Sequence, residues 1–299
     1  MGPLSPFGAP PGGGERLIAD LPNALANREE LTRRLVGRRP ALFCDYDGTL
    51  TPIVDRPEDA GMSARMRDTV RRLAALCPLC VVSGRDRRVV QELMGMDDLV
   101  VAGSHGFDIW SPEGGAIQRE EGMEFQDLLR TVQARLTEEL GPIEGALVEP
   151  KRMSVAVHYR VVPEAQRPRV AAITQAVVAE HPEELRVTPG KLVYEIQPRI
   201  DWDKGRAVLH LLRALGLDRE DVLPLYLGDD ITDEDAFEAL AGRGLGLLVG
   251  RAGDPEIAGR TTSADYVLDG VEEVEVFLDW LASRIGAGGV LKPASGEGG

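Results

Sequence analysis

Residues 41–50 read ALFCDYDGTL, an apolar run that ends abruptly in two aspartates, Asp45 and Asp47. Four consecutive apolar residues predict a strand that is buried on both faces, as in a parallel sheet covered by helices. The aspartates then lie at the carboxyl end of this strand, which is the edge where open parallel sheets bind ligands. The alternative is a turn that uses Asp and Gly for their local conformations, and this stretch alone leaves both interpretations open.

Strand-like apolar runs alternate with helical patterns over much of the chain. In the first part, helical patterns at 63–76 and 86–94 separate the strands LFC, LCVVS and LVVAG. In the last part, helical patterns at 203–215, 232–241 and 271–285 alternate with the strands VLPLYLG, LGLLVG and YVL. This alternation predicts an α/β fold with a parallel sheet built from βαβ units.

The middle of the chain breaks this alternation. It reads as helix, two strands, helix and two strands, with helices at 125–140 and 168–179. The order αββαββ predicts an antiparallel sheet with two helices on one face, inserted as an α+β lobe into the parallel sheet. Gly and Pro dominate both ends, which favours disordered tails. The predicted divisions are a tail at 1–14, core at 15–121 with an N-terminal helical segment, cap at 122–198, core at 199–285 and a tail at 286–299.

Charge and cysteine content narrow the class of protein. The net charge of -15 argues against a general surface for nucleic acid or anionic membrane, because both need a basic footprint. No apolar run approaches the ~20 residues of a membrane helix. Three cysteines, Cys44, Cys77 and Cys80, are too few for a disulfide framework, so a reducing compartment, the cytoplasm, is expected. Cys77 and Cys80 have redox spacing but precede no helix, and buried structural thiols are favoured.

Polar clusters follow four of the predicted core strands. They are Asp45 with Asp47, Ser83 with Arg85, Ser104 with His105, and Asp229 with Asp230. One such cluster can arise from turn chemistry, but four at one sheet edge indicate a binding site. Carboxylates packed together repel each other unless a cation is present, and an oxygen-only set favours Mg²⁺ over zinc.

Several segments resemble a known family. DYDGTLTPI, VVSGR, the lysine of DWDKG and GDDITDEDAF resemble the four signature segments of haloacid dehalogenase-type phosphohydrolases. AGSHG, EPKRMSVAVHYR and GKLVYEIQP resemble the trehalose-6-phosphate phosphatase branch, and the likeness covers roughly residues 38–285. It implies a Rossmann-like parallel-sheet hydrolase core with an inserted cap. The implied activity is Mg²⁺-dependent hydrolysis of trehalose 6-phosphate through an aspartyl-phosphate.

The resemblance also implies roles for the carboxylates. Asp45 would attack phosphorus, and Asp47 would protonate the leaving oxygen and later deprotonate water. Asp45, the backbone carbonyl of Asp47 and Asp229 would hold Mg²⁺, with either Asp230 or Asp233 acting directly or through water. The sequence leaves that last choice open.

Ser83 and Lys204 would bind the nonbridging phosphate oxygens. A hydroxyl donor and a fixed positive charge balance the negative charge of these oxygens, whereas carboxylates cannot. For Ser83 the alternative is a helix N-cap before Asp86. For Lys204 it is a solvated lysine at a helix start, but the position after the cap and before GDD favours the phosphate role.

Five cap residues of both charge signs fall at or near strand ends: Glu149, Lys151, Arg160, Lys191 and Glu195. By resemblance they would bind the sugar, and three core residues, Arg85, Ser104 and His105, are also expected to bind substrate. The alternative for a cap residue is a salt bridge on the sheet face. This alternative is strongest for Arg152, because successive side chains of a strand point to opposite faces and Arg152 follows Lys151. For His105 it is a hydrogen-bonded loop histidine, and His158 and Tyr159 are interpreted as packing residues.

Two other functions remain open at this point. The first is a phosphatase of the same fold that acts on sucrose phosphate or a glucosylglycerate phosphate. The second is a noncatalytic phosphosugar-binding regulator, although a degenerate protein would be expected to lack Asp45 or Asp47. The expected partners are a phosphosugar substrate and, through function, a trehalose-phosphate synthase.

Overall fold

The computed structural model describes residues 16–112, 115–118, 125–151, 153–200, 202–255 and 257–288. The predicted tail at 1–14, residues 289–299 of the second tail and Arg152 lie outside the described residues. Within them the helices are α1 (Arg28–Leu35), α2 (Ala64–Ala74), α3 (Arg87–Met94), α4 (Gln126–Leu140), α5 (Arg167–Val178), α6 (Lys204–Ala214), α7 (Ile231–Leu240) and α8 (Val271–Gly288). Because α8 extends to Gly288, residues 286–288 of the predicted tail are helical.

The strands follow the predicted order, with additions. They are β1 (Arg16–Leu17), β2 (Arg39–Cys44), β3 (Leu79–Val82), β4 (Val100–Gly103), β5 (Asp108–Ser111), β6 (Gly115–Gln118), β7 (Leu147–Pro150), β8 (Val155–His158), β9 (Leu185–Gly190), β10 (Val193–Pro198), β11 (Val222–Gly228), β12 (Leu245–Val249), β13 (Thr261–Thr262) and β14 (Tyr266–Leu268). Strands β1, β5, β6 and β13 have no counterpart among the strands predicted from the sequence.

The larger sheet has eight strands in the order β14-β12-β11-β2-β3-β4-β5-β6. The six strands from β14 to β4 are parallel, and β5 and β6 extend the sheet in antiparallel pairing. Successive β2 side chains point to opposite faces: Leu42 packs with α1, α2, α3 and α8, and Phe43 packs with α6 and α7. Burial of β2 on both faces explains its unbroken apolar run, and the predicted α/β core is confirmed.

The smaller sheet is antiparallel, with the strand order β7-β8-β10-β9. Leu129, Val132, Leu136 and Leu140 recur every three or four residues on α4, so they form one stripe that packs with α5 against this sheet. The order α4-β7-β8-α5-β9-β10 confirms the predicted αββαββ lobe. It is inserted between β6 and α6, so its free sheet face can cover the carboxyl edge of the larger sheet.

Two further sequence expectations concern the whole molecule. Cys44, Cys77 and Cys80 are free thiols and buried, as predicted for the last two. Burial raises the pKa of Cys77 and of Cys80 to about 12, which keeps both thiols protonated near neutral pH. Among the described residues, none of the helices has the length and apolar character needed to cross a bilayer.

Candidate active site

A buried lysine joins two aspartates at the carboxyl edge of the core sheet. Asp45 follows β2 directly, and Lys204 begins α6 with its side chain buried. The Lys204 ammonium donates to Asp45 Oδ1 at 2.9 Å and to Asp233 Oδ1 at 2.7 Å. Burial raises the pKa of Asp45 well above its usual value, and the charge of Lys204 opposes this rise. Lys204 is therefore a fixed charge inside the site and not a solvated lysine.

Three carboxylates meet beside this lysine. Asp45, Asp229 and Asp233 are all buried, and one oxygen of each lies within 4.8 Å of the others. Burial also raises the pKa of Asp229 to about 7. Buried carboxylates at this separation repel one another, and a hard divalent cation relieves the repulsion. The donor set therefore fits Mg²⁺, which prefers oxygen ligands.

Asp233 belongs to this cluster, whereas Asp230 has a different use. Asp230 is the N-cap of α7, and its Oδ1 accepts the N–H of Ile231 at 2.7 Å. Asp233 Oδ2 accepts the backbone N–H groups of Asp229 at 3.0 Å and Asp230 at 2.9 Å, which aims its other oxygen at Lys204. Of the two candidates that the sequence left open, the structure brings Asp233 to Asp45.

Glycine at position 48 makes the close approach of these loops possible. Its φ of +78° lies in the left-handed region, which L side chains rarely adopt. A Cβ at Gly48 would lie 2.2 Å from Asp229 Oδ2. The sequence Asp47-Gly48 thus forms a turn, and glycine is also required there for Asp229 to approach.

Arg85 holds the second aspartate of the opening motif. Its guanidinium donates to Asp47 Oδ2 at 2.6 Å and to Oδ1 at 2.7 Å, and a third bond reaches the carbonyl of Pro57 at 2.6 Å. Arg85 and Asp47 both line the cleft between the sheets. The arginine predicted to contact substrate is therefore the bidentate partner of Asp47.

Ser83 lies beneath a tight turn that carries His105. The Ser83 hydroxyl accepts the N–H of Arg85 at 3.1 Å, and its carbonyl accepts the N–H of His105 at 2.8 Å. The N-cap position of α3 is Asp86, so Ser83 is not the helix cap. Ser83 and His105 line the cleft. Burial lowers the pKa of His105 well below its usual value, and the charges of nearby Lys204 and Lys151 act in the same direction, so the ring is neutral.

Ser104, by contrast, does not line the cleft. It is buried, and its hydroxyl donates to Asp86 Oδ1 at 2.8 Å. Its φ of +50° and that of His105, +55°, are two consecutive left-handed values at residues other than glycine. Ser104 thus supports the turn, and the expectation that it contacts substrate is not met by this geometry.

The predicted cap residues face the core from the free side of the smaller sheet. Glu149 on β7 and Glu195 on β10 both pair with Ala156 of β8, so one face carries all three side chains. All five predicted residues line the cleft: Glu149, Lys151, Arg160, Lys191 and Glu195.

Most of these cap residues are already paired. Lys151 donates to the two Glu195 oxygens at 3.2 and 3.0 Å, and the hydroxyl of Ser154 also donates to Glu195. Arg160 donates to the carbonyl of Lys191 at 2.7 Å. The salt-bridge alternative therefore describes Lys151 and Glu195, although the pair lies in the cleft wall.

Two cap residues make contacts that were not expected from the sequence. His158, interpreted as packing, lines the cleft, and its Nε2 lies 2.7 Å from Glu149 Oε2. Burial alone would raise the pKa of Glu149, but His158 and Lys151 outweigh it and lower that pKa. Lys191 crosses the cleft, and its ammonium donates to Asp229 Oδ2 at 2.7 Å. The cap therefore contacts the carboxylate cluster directly.

The cleft encloses about 220 Å³ between the two lobes. This is below the ~300 to 1,000 Å³ of typical small-molecule sites, so the cap lies close to the core. Exposed apolar side chains line it from both lobes, at Ile53, Leu147 and Val161. These residues could not be predicted from the sequence, because isolated apolar residues near loops have no periodic pattern.

Comparisons with known proteins agree with this geometry. A family model described as trehalose-phosphatase matches residues 43–271. The chain is 41% identical over 285 residues to probable trehalose-phosphate phosphatase E of Arabidopsis thaliana, covering 90% of this chain and 78% of that protein. It is 40% identical over 274 residues to a trehalose-phosphate phosphatase of Mycobacterium bovis, covering 91% and 68%. The C-terminal domain of C. albicans trehalose-6-phosphate phosphatase has a similar fold, with a TM-score of 0.72, 23% identity and coverage of 88% and 98%.

Proposed function

The chain belongs to the trehalose-phosphatase family and is a phosphoric monoester hydrolase, and from this we propose that it hydrolyses trehalose 6-phosphate through a phosphorylated Asp45 with Mg²⁺ as cofactor. The observation that carries the proposal is the environment of Asp45. Its carboxylate ends a buried strand, lies at the cleft and is bound by a buried lysine. A nucleophile needs this combination of access and fixed orientation.

In the first half-reaction an Asp45 oxygen bonds to phosphorus while the bond from phosphorus to the sugar C6 oxygen breaks. A proton from Asp47 goes to that oxygen, and trehalose leaves. Both carboxylate oxygens of Asp47 accept hydrogen bonds from Arg85, so this carboxyl group has to turn away from Arg85 before it can donate a proton. Substrate entry would break the two hydrogen bonds between Arg85 and Asp47 and free Asp47 for this role.

In the second half-reaction water attacks phosphorus, and the bond from phosphorus to Asp45 breaks. Asp47, now a carboxylate, takes the proton from this water. Inorganic phosphate leaves, and Asp45 regains its charge beside Lys204. The pairing of Asp47 with Arg85 suits this step, because the two hydrogen bonds fix the orientation of the Asp47 carboxylate at the cleft.

Fixed positive charge stabilises both steps. Lys204 and the hydroxyl of Ser83 would contact the nonbridging oxygens, where negative charge has to be balanced during transfer. Mg²⁺ held by Asp45, Asp229 and Asp233 would neutralise their charges and stabilise the phosphoryl oxygens when bound. The backbone carbonyl of Asp47 is a further proposed ligand.

The sugar would bind against the cap. Glu149, Lys151, Arg160, Lys191 and Glu195 supply donors and acceptors suited to hydroxyl groups, and His105 supplies a neutral ring from the core side. Opening of the cap would let substrate enter, and closure would then exclude water from the cleft. Closure would let the binding energy of the remote sugar contacts align Asp45 with the phosphorus atom.

The cellular setting is part of the same proposal. Three free, buried thiols suit a reducing cytoplasm. A trehalose-phosphate synthase would supply the substrate and is the proposed functional partner.

Phosphate release with Mg²⁺ tests the substrate assignment. Trehalose 6-phosphate, sucrose phosphate and glucosylglycerate phosphate are compared at equal concentrations with purified protein. We expect kcat/KM for trehalose 6-phosphate to exceed the others at least tenfold. A higher value for another sugar would replace the substrate, and binding of trehalose 6-phosphate without phosphate release would show a regulator.

A further inference from the structure

Trp202 lies in the segment that leads from the last cap strand, β10, to Lys204 at the start of α6. Its side chain is buried in the hydrophobic cluster of the larger sheet and does not line the cleft itself. The indole Nε1 donates to the backbone carbonyl of His105 at 3.1 Å. Trp202 therefore links the connection between cap and core to the turn that carries His105.

The turn that receives this bond is strained. Ser104 and His105 both have left-handed backbone conformations, which are unfavourable for residues with a Cβ. Such a conformation persists only where its surroundings fix it. The surroundings here include the backbone bonds from Ser104 to Arg85 and from His105 to Ser83, and the bond between the Ser104 hydroxyl and Asp86. Trp202 adds the bond to the His105 carbonyl, and the His105 ring packs so close to Gly84 that a Cβ there would lie 2.8 Å from it.

The same tryptophan is held by the cap. Arg186 on β9 donates from its guanidinium to the backbone carbonyl of Trp202 at 3.1 Å. On the core side, the indole packs against Phe107 with ring centroids 6.0 Å apart. A hydrogen-bonded route thus runs from a cap strand through Trp202 to the backbone of His105.

We infer that Trp202 is a positioning residue: it sets the orientation of the His105 ring in the cleft and couples that orientation to the cap through Arg186. The inference rests on the proposed contact of His105 with the sugar. Trp202 does not touch substrate, so its effect has to pass through His105. Small aryl phosphates have no sugar for His105 to contact and are expected to be insensitive to it.

Trp202→Phe tests this step because it keeps an aromatic ring and removes the N–H donor. We expect kcat/KM for trehalose 6-phosphate to fall about fivefold, the loss expected from one hydrogen bond, with p-nitrophenyl phosphate changed less than twofold. In a His105→Ala background, Trp202→Phe should cause no further loss. The matched control is Trp110→Phe, the same substitution in β5 away from the cleft.

A spectroscopic readout separates positioning from general support of the fold. The chain has four histidines, so isotope-labelled histidine gives a spectrum of few signals. We expect the His105 imidazole signals to move in Trp202→Phe and, by less, in Arg186→Met, and to stay in place in Trp110→Phe. This readout needs no substrate, so it decides the coupling even if the wild-type enzyme fails to hydrolyse trehalose 6-phosphate and the proposed function is wrong.

Three results would overturn the inference. Unmoved His105 signals in Trp202→Phe would show that the bond does not set the ring. Equal losses on both substrates, with full additivity to His105→Ala, would leave Trp202 a structural residue only. Unmoved signals in Arg186→Met would remove the link to the cap.

Discussion

The two walls of the cleft hold their charged groups differently. On the core wall, the side chains of Lys204, Asp45 and Asp233 are 3, 7 and 0% exposed. On the cap wall, the Lys191 side chain is 40% exposed, and Glu149 and His158 are also partly exposed. A buried charge cannot lose its partner without a large cost, whereas a half-exposed charge can exchange its partner for water or a ligand.

This difference suggests a division of labour. Fixed charges on the core wall need no reorganisation when charge develops on phosphate, and this is where electrostatic catalysis gains most. The cap pairs can open as sugar hydroxyls arrive, so they suit recognition. Lys151 and Glu195 are the exception on the cap wall, because their pair is nearly as buried as the core pairs.

The largest expected effect comes from Asp45→Asn on the core wall. An amide is a poor nucleophile and a weak metal ligand, so kcat should fall by about a thousandfold or more for every substrate. Phosphate release measures the loss, and circular dichroism checks that the fold is retained. Activity near the wild-type level would refute the phosphorylated aspartate.

The second-largest effect is expected from removal of the metal ion. The carboxylates of Asp45, Asp229 and Asp233 need a cation in order to coexist and bind phosphate, so EDTA should reduce activity to background and excess Mg²⁺ should restore it. The assay is phosphate release before and after dialysis. Full turnover after exhaustive chelation would contradict the metal assignment.

A pair of lysine variants compares the two walls directly. Lys204→Met leaves two buried carboxylates without their partner, which should lower the free energy of unfolding by about 3 kcal/mol and raise the pKa of Asp45 further. Lys191→Met should cost less than about 1 kcal/mol, because that lysine is half exposed. Urea unfolding in EDTA measures both values.

The kinetics of the same pair provide a control. Lys204→Met should lower activity about a hundredfold on both trehalose 6-phosphate and p-nitrophenyl phosphate. If the two lysine variants had equal stability and equal kinetics, burial would not explain the difference in charge pairing between the core wall and the cap wall.

A smaller and selective effect is expected from Glu149→Ala and Lys191→Ala, at partly exposed residues of the cap. Loss of remote sugar contacts should lower kcat/KM for trehalose 6-phosphate at least tenfold, about 1.4 kcal/mol. Turnover of p-nitrophenyl phosphate should stay within about threefold. Parallel losses on both substrates would assign these residues to folding or lobe closure, and no loss on either would reopen the question of the sugar.

The sequence predicted the parts of the molecule that follow from periodicity. Parallel strands end at one edge, so Asp45, Ser83 and Asp229 could be placed together before the fold was known. The αββαββ order was readable because its strands and helices are regular.

Contacts between loops could not be predicted in this way. Helix α7 begins one residue earlier than its pattern indicated, which makes Asp230 the N-cap and turns Asp233 towards Asp45. The pairing of Arg85 with Asp47 depends on two loops from different strands, and Ser104 is buried by a left-handed turn. None of these features has a repeating pattern in the sequence.

The smallest expected effect belongs to Arg160, which donates a solvent-exposed hydrogen bond to the carbonyl of Lys191. An exposed hydrogen bond contributes about 0.5 kcal/mol, because water replaces it readily. Arg160→Ala should therefore lower kcat/KM for trehalose 6-phosphate only about twofold and leave p-nitrophenyl phosphate unchanged. Arg160→Lys, which keeps the charge, is the matched control. A tenfold loss in Arg160→Ala that Arg160→Lys restores would mean that the guanidinium binds the sugar as a charge, and that exposure on the cap wall does not limit a residue's contribution.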